Sequence, residues 1–249
     1  MASFFTVVFY QPIFNLLIFI YNFLSFHDIG IAIIVLTLII KGVLWPLSKS
    51  SIKSQKALQD LQPKIKELKD KYKDDKVGLS QATMDLYKNN KVNPFSSCLP
   101  LLIQFPFLIA VFQVFRDGIN DKLDLVYSFI YRPEAINMVS LGLVDLSSPN
   151  VYLAVLAGLA QFWQSKMMMS KKPDIKTEGS KDENMAAIMS KQMLYFMPII
   201  TVFIGISLPG GLTLYWFCFT LLTAIQQVVT FRKNDESSDT KTIEGELVK

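Results

Sequence analysis

Histidine and cysteine are nearly absent from this chain, and their scarcity argues against several kinds of chemistry. Among 249 residues there are one histidine and two cysteines. His27 alone cannot form an HExxH zinc site, and Cys98 and Cys218 form no CxxC pair. Both cysteines lie in apolar runs, so we expect them to be inert packing residues. We therefore predict no enzymatic activity, no metal site and no cofactor.

Charged residues are missing from long parts of the chain. Hydrophobic residues make up 51% of it, 19 residues are Phe, and the mean hydropathy is +0.33. Such values are too high for a soluble domain of this size and are typical of polytopic membrane proteins. The 25 basic and 21 acidic residues collect in a few blocks between apolar runs. The predicted fold class is an all-α polytopic membrane protein.

Five apolar runs are long enough, with their flanking residues, to cross a bilayer. The predicted transmembrane helices are residues 29–47, 94–115, 151–169, 191–208 and 211–231, which together form a core over 29–231. The predicted connections are a cytoplasmic hairpin at 48–93, an outside loop at 116–150 with a short amphipathic element, and a polar loop at 170–190. A flexible tail is predicted at 232–249.

The distribution of basic residues predicts the orientation. Lys and Arg number eleven in 48–93, three in 116–150 and six in 166–191. Because cytoplasmic segments carry the excess of Lys and Arg, the N-terminus is predicted outside and the C-terminus in the cytoplasm.

The basic segment at 48–93 reads as two helices joined by a turn at 74–78. Leu58, Leu61, Ile65, Leu68 and Tyr72 recur every three or four residues, which is a helical seam. Eleven lysines accompany six acidic residues here. A solvated face is the favoured interpretation, and a docking surface for anionic lipids, nascent chains or ribosomal RNA is the alternative.

The N-terminal segment 1–28 allows two interpretations. Gln11, Asn15, Asn22 and Ser25 form one narrow polar stripe on an otherwise apolar helix. This pattern favours an amphipathic helix lying in the membrane interface. The alternative is that residues 3–26 form a sixth span. The segment lacks the features of a cleaved signal peptide, so we expect it to remain in the mature protein.

A lysine within the first predicted span is the least expected residue of the sequence. No Asp or Glu lies in any predicted span, so Lys41 has no oppositely charged partner there. Thr37 lies one helical turn away on the same face. The lysine stem could snorkel to the head groups. The polar face instead favours a water-filled recess open to the cytoplasm, in which Lys41 meets an acidic group of another molecule. The buried polar candidates are Thr37, Lys41, Gln104, Gln113, Gln161 and Tyr215.

Several sequence motifs resemble those of one family of membrane proteins. They are LQPKI (61–65), LYK (86–88), KVNP (91–94), CLPLLIQFP (98–106), FMPII (196–200), PGGLTLYW (209–216) and IQQ (225–227). Together they resemble the YidC/Oxa/Albino-type membrane protein insertases, and the match covers about residues 11–231.

The resemblance implies five helices around a hydrophilic groove in the inner leaflet, open to the cytoplasm and to lipid. Lys41 stands where the family usually has an arginine, and Thr37, Gln104, Tyr215 and Trp216 match positions that line or border the groove. The implied location is the plasma (inner) membrane of a bacterium. The implied activity is insertion and folding of membrane proteins by a monomer, alone or with the Sec translocon.

The resemblance also implies partners, with some departures. Nascent membrane proteins are the implied substrates. The ribosome or signal recognition components could bind the hairpin 48–93, as could anionic lipids. We expect no large outside domain and no lipidated cysteine before the core. The tail is not strongly basic, and Phe219 and Thr220 replace smaller or amide groups. Lysine also lacks the planar fork of guanidinium, so bidentate capture of a carboxylate is not expected.

Two other functions stay open at this point. A small transporter could use Lys41 as an anion site, although no inverted repeat is visible. A non-catalytic scaffold could hold other membrane proteins through its lipid-facing surface.

Overall fold

A computed structural model describes residues 4–72, 75–93, 99–168 and 194–247. Helices dominate these residues. They are α1 (Gln11–Phe23, preceded by a π-helical turn at Thr6–Tyr10), α2 (Ile29–Val43), α3 (Trp45–Asp60), α4 (Gln62–Lys71), α5 (Lys76–Asn89), α6 (Leu99–Arg116), α7 (Val151–Met168), α8 (Leu194–Gly205) and α9 (Gly210–Leu247). The predicted loop at 170–190 and the starts of the spans predicted at 94–115 and 191–208 lie outside the described residues.

Few helices are long and apolar enough, by themselves, to cross a membrane. Among the described residues, length and composition select Thr6–Phe23 and Gly210–Phe231. Ile29–Val43 and Trp45–Lys71, separated by a break at Leu44, count as a third if they form one span. The part of the chain that the structure describes is thus mostly helical, with two or three candidate spans. The count of five remains a prediction, and selection of Thr6–Phe23 keeps the sixth-span alternative open.

The described residues divide into two compact units. The first comprises the described residues of Met1–Trp45, Leu101–Phe162 and Met197–Leu222. Its core is a single apolar cluster drawn mainly from α1, α2 and α6, with Leu212 and Tyr215 of α9.

The polar stripe of the N-terminal helix contacts protein. Asn15 is 1% exposed, donates a hydrogen bond to the Leu125 carbonyl (3.2 Å) and accepts one from the Tyr127 amide (2.7 Å). Asn22 donates to the Tyr131 carbonyl at 2.6 Å. The hydrogen-bond partners of Asn15 and Asn22 therefore lie in the outside loop, whereas the position of the helix in the membrane interface remains a prediction.

The outside loop at 116–150 contains short elements of its own. A 3-10 helix covers Asn120–Leu125, and strands β1 (Val139–Ser140) and β2 (Val144–Asp145) pair antiparallel. The two strands are a small exception to an otherwise all-α architecture. At the hairpin turn, Leu141 has a φ of 52°, a left-handed conformation that is uncommon for leucine.

Asp28 joins this hairpin to the start of α2. Its carboxylate caps the helix by accepting from the Ile31 amide (2.9 Å), and it also accepts from the Ser140 hydroxyl (2.8 Å) and the Leu141 amide (2.5 Å). Gly30 lets the strand approach, because a Cβ there would collide with the Ser140 side chain. Desolvation alone would raise the pKa of the Asp28 carboxyl, but these hydrogen bonds outweigh it and hold the pKa below its usual value.

The second unit comprises the described residues of Pro46–Pro100, Trp163–Phe196 and Thr223–Lys249. The amine of Lys56 lies 5.6 Å from the ring centroid of Phe231 and 3.2 Å from the Asp60 carboxylate. Helix α3 therefore packs against the end of the apolar part of α9. Helices α4 and α5 also belong to this unit, and Asp75 caps α5 by accepting from the Gly78 amide at 2.8 Å.

Helix α9 continues beyond the predicted end of the last span. The sequence predicts a span to residue 231 and a flexible tail after it, whereas the helix runs to Leu247. No proline and a single glycine, Gly245, occur after residue 231, so little in the sequence opposes helix continuation.

Replacing Asp28 should loosen the outside loop. Asp28→Ala should cost about 1 kcal/mol or more of stability, since it removes a helix N-cap together with the bonds to the hairpin. Because the folded pKa is lowered, the contribution of Asp28 is present above about pH 3.9 and is lost as the pH falls through the folded pKa. Thermal unfolding of the purified parent and variant, at pH values above and below about 3.9, measures the loss of stability and its dependence on pH.

Glu134 provides the matched control. It is an exposed acid in the same loop, so Glu134→Ala should leave the free energy of unfolding within about 0.5 kcal/mol of the parent. Equal stability of the Asp28 and Glu134 variants would contradict the role given to Asp28.

Candidate functional site

Helix α2 carries Thr37 and Lys41 on one buried face, as the spacing predicts. Thr37 is 0% exposed, and its hydroxyl donates to the Ile33 carbonyl one turn earlier at 2.6 Å. The hydroxyl is thus satisfied within its own helix.

The amine of Lys41 is enclosed by protein. Lys41 is 3% exposed, and its Nζ lies 4.5 Å from the ring centroid of Phe219 on α9. This distance is within the range of cation–π contacts, which strengthen when water is excluded. Because the amine lies over a ring inside the first unit, it is not extended toward solvent in this state.

Gln104 and Tyr215 form the second polar element of the site. The Gln104 amide on α6 donates to the Tyr215 hydroxyl on α9 at 2.6 Å. Tyr215 is 0% exposed, and the Gln104 Oε1 atom is buried with no hydrogen-bond partner among the described residues. An acceptor oxygen in this state favours water or a donor that arrives from elsewhere.

One face of α9 links the two elements. Tyr215 and Phe219 are four residues apart, and their ring centroids are 6.1 Å apart. Lys41 therefore contacts Phe219, Phe219 packs near Tyr215, and Tyr215 bonds to Gln104. Three helices of the first unit, α2, α6 and α9, meet in this chain of contacts.

The other predicted residues contribute less. Trp216 is half-buried, about 100° around α9 from Tyr215, and has no hydrogen bond or ring contact with the other four site residues in the described structure. Gln113 and Gln161 are half-buried and likewise make no side-chain hydrogen bond to them among the described residues. Sequence reasoning noted Phe219 only as a departure, although its spacing from Tyr215 signals a shared face.

The site is closed in this state. The sequence predicts a wet groove, whereas Thr37, Lys41 and Tyr215 are each at most 3% exposed. A groove open to water therefore remains a proposal that requires the site to open.

Comparison with known proteins identifies the family. Residues 19–237 match the family described as 60Kd inner membrane protein, and all five predicted site residues lie in that range. The chain belongs to the 60Kd inner membrane protein family. Membership confirms the resemblance read from the motifs. Together with the apolar helices, it makes the chain an integral membrane protein.

Relatives in this family are named membrane protein insertase YidC. Those of Syntrophus aciditrophicus and Tolumonas auensis are 38% and 34% identical to this chain over 87% and 90% of its length. The matches cover 35% and 36% of those proteins, so the chain spans about a third of their length. The relative in Fusobacterium nucleatum is 36% identical over 83% of this chain, and the match covers 87% of that protein.

The Gln104 to Tyr215 hydrogen bond predicts a measurable coupling. Tyr215→Phe should destabilise the protein by about 1–3 kcal/mol, because it leaves a buried amide donor without its acceptor. Gln104→Leu should make the same substitution at Tyr215 less costly. A double-mutant cycle on thermal or denaturant unfolding measures the coupling.

Tyr152→Phe is the control for loss of a hydroxyl, since Tyr152 is 82% exposed. It should change stability by less than about 0.5 kcal/mol. Strictly additive effects of the Gln104 and Tyr215 substitutions would mean that this bond does not stabilise the protein.

Proposed function

We propose that this chain is a membrane protein insertase, which moves segments of nascent membrane proteins from the cytoplasm into the bilayer. The observation that carries the proposal is a lysine amine buried among apolar helices beside the Gln104–Tyr215 pair. The name shared by the relatives supports it, above all the relative in Fusobacterium nucleatum, which is matched over 87% of its length.

The proposed mechanism uses charge compensation. A hydrophilic and often acidic flank of the substrate enters a groove in the inner leaflet, formed when the site opens. There the Lys41 ammonium offsets the carboxylate charge, and Gln104 and Tyr215 offer hydrogen bonds. A polar recess that spans half the bilayer lowers a barrier of roughly several kcal/mol for each charge moved.

Release of the substrate needs no external energy source in this mechanism. The apolar segment that follows the flank slides into lipid, and its burial contributes about 25 cal/mol per Å². Thr37 and Trp216 border the groove in this proposal. No covalent step and no cofactor take part.

The proposed topology follows the sequence. Five spans place the N-terminus outside and the C-terminus in the cytoplasm of a bacterial inner membrane, with the segment 1–28 in the outer interface. The basic segment 48–93 then faces the cytoplasm, where it would meet nascent chains, the ribosome or signal recognition components, and anionic lipids. The Sec translocon is a further proposed partner of a monomeric insertase.

Purified protein in liposomes distinguishes the proposed function from its rivals. Insertion of a single-span substrate supports an insertase. Flux of a small anion without insertion would indicate a transporter. Binding of a membrane protein with neither activity would indicate a scaffold.

Removing the charge of Lys41 should impair acidic substrates selectively. Lys41→Ala should reduce insertion of a substrate with an acidic translocated flank about tenfold, the effect of roughly 1.4 kcal/mol of lost charge compensation. Lys41→Arg keeps the charge and should retain activity. A protease-protection assay on the same liposomes measures insertion.

Lys166, an exposed lysine at the end of α7, supplies the control. Lys166→Ala should insert acidic and neutral substrates as the parent does. Equal insertion of the acidic substrate by the Lys41→Ala and Lys166→Ala variants would refute the electrostatic role.

The side of the N-terminus tests the proposed topology. A small tag before α1 should be reached by a membrane-impermeant reagent from outside intact cells, since segment 1–28 is proposed to lie in the outer interface. A tag that is reached only after the membrane is opened would instead mean that residues 3–26 span.

A further inference from the structure

The contact between Lys41 and Phe219 has a consequence for substrate selection. We propose that the Phe219 ring is a latch, which holds the Lys41 ammonium in the resting protein and competes with substrate carboxylates for it. This inference deepens the proposed insertase function and rests on it. The latch determines which segments of a nascent chain can engage the site.

The geometry favours a strong contact. The ammonium lies 4.5 Å from the ring centroid, inside the range of about 6 Å in which cation–π attraction acts. Lys41 is 3% exposed, so the contact is nearly free of water, the condition in which such attraction is largest. Phe219 therefore stabilises the charged amine of Lys41, which the mostly apolar side chains of α2 cannot do.

The ring is held in position by its neighbours. Phe219 lies one turn after Tyr215 on α9, with ring centroids 6.1 Å apart and ring planes 34° apart. Tyr215 is fixed in turn by its hydrogen bond to Gln104 on α6. A ring fixed in this way needs little reordering to receive the ammonium.

Competition for the ammonium produces a threshold. A carboxylate attracts an ammonium more strongly than a ring does, since it carries a full opposite charge. It must first displace the ammonium from Phe219, so the apparent affinity falls by the fraction of protein in which the latch is open. Acidic flanks overcome this cost, whereas neutral flanks gain nothing from Lys41 and leave the latch closed.

Chemical labelling of Lys41 tests the latch without any substrate. Protein in lipid nanodiscs, with both faces accessible, is treated with a water-soluble acetylating ester. Mass spectrometry then measures acetylation of Lys41 relative to the exposed Lys166. Phe219→Leu keeps an apolar side chain of similar size but removes the ring, so labelling of Lys41 should rise about 5- to 30-fold, the factor that corresponds to a desolvated cation–π contact.

Two variants control for general loosening of the helices. Phe219→Trp keeps an aromatic face and should label Lys41 at nearly the parent rate. Phe217→Leu changes a half-buried ring two residues away on α9 and should leave the rate unchanged. If Phe219→Leu fails to elute as a single folded species, Phe219→Met provides the same test. An unchanged Lys41 rate in the folded variant, or an equal rise with Phe217→Leu, would overturn the proposal.

A second readout separates the latch from the insertase function. A carbodiimide couples the Lys41 amine to the carboxylate of a single-span substrate with an acidic flank. At limiting substrate, Phe219→Leu should raise the yield by about the same factor as it raises labelling. Faster labelling with no coupling to any substrate would mean that substrates do not reach Lys41, and would overturn the proposed selection. If Phe219→Leu couples to the substrate at the parent yield and its Lys41 labelling is unchanged, the latch proposal is wrong, while the proposed insertase function is unaffected.

Discussion

Burial of one ammonium group in an apolar helix is the constraint on which the rest of the first unit depends. An isolated charge in such surroundings is costly unless other groups compensate it. Here α9 brings the face of Phe219 to Lys41, and the pair of Tyr215 and Gln104 fixes that face. The close approach of α9 at its start needs Gly211, because a Cβ there would collide with the Phe115 ring.

The end of the first unit that is proposed to lie outside is held by polar contacts of another kind. Asp28 and Asn15 bind backbone groups of the outside loop, so α1, α2 and this loop are linked before α2 reaches Lys41. These bonds lie far from the amine along α2, about 13 residues or roughly 20 Å of helix. In the proposed topology these bonds hold the outer end of α2, while the site at Lys41 would open toward the cytoplasm.

The spacing of residues in the sequence predicted which side chains share a face of one helix. It could not predict contacts between residues that are far apart in the chain. The shared face of Thr37 and Lys41 follows from a spacing of four residues. Gln104 and Tyr215, 111 positions apart, were selected singly as polar residues in apolar runs and by resemblance to the family, but their hydrogen bond required the structure. The partners of Asn15 lie in a loop about 110 residues later, so the polar stripe alone could not identify them. Phe219 is one phenylalanine among 19, and only tertiary packing shows that its ring lies against the Lys41 amine.

The proposed mechanism requires that acidic segments of substrates reach the buried face of α2. A photoreactive amino acid at position 37 tests this while leaving Lys41 intact. We expect crosslinks from position 37 to a single-span substrate with an acidic flank, and fewer to the same substrate with a neutral flank. A probe at the exposed position 163 should not distinguish the two. Crosslinks to both substrates from 163 and none from 37 would mean that substrates do not reach this face.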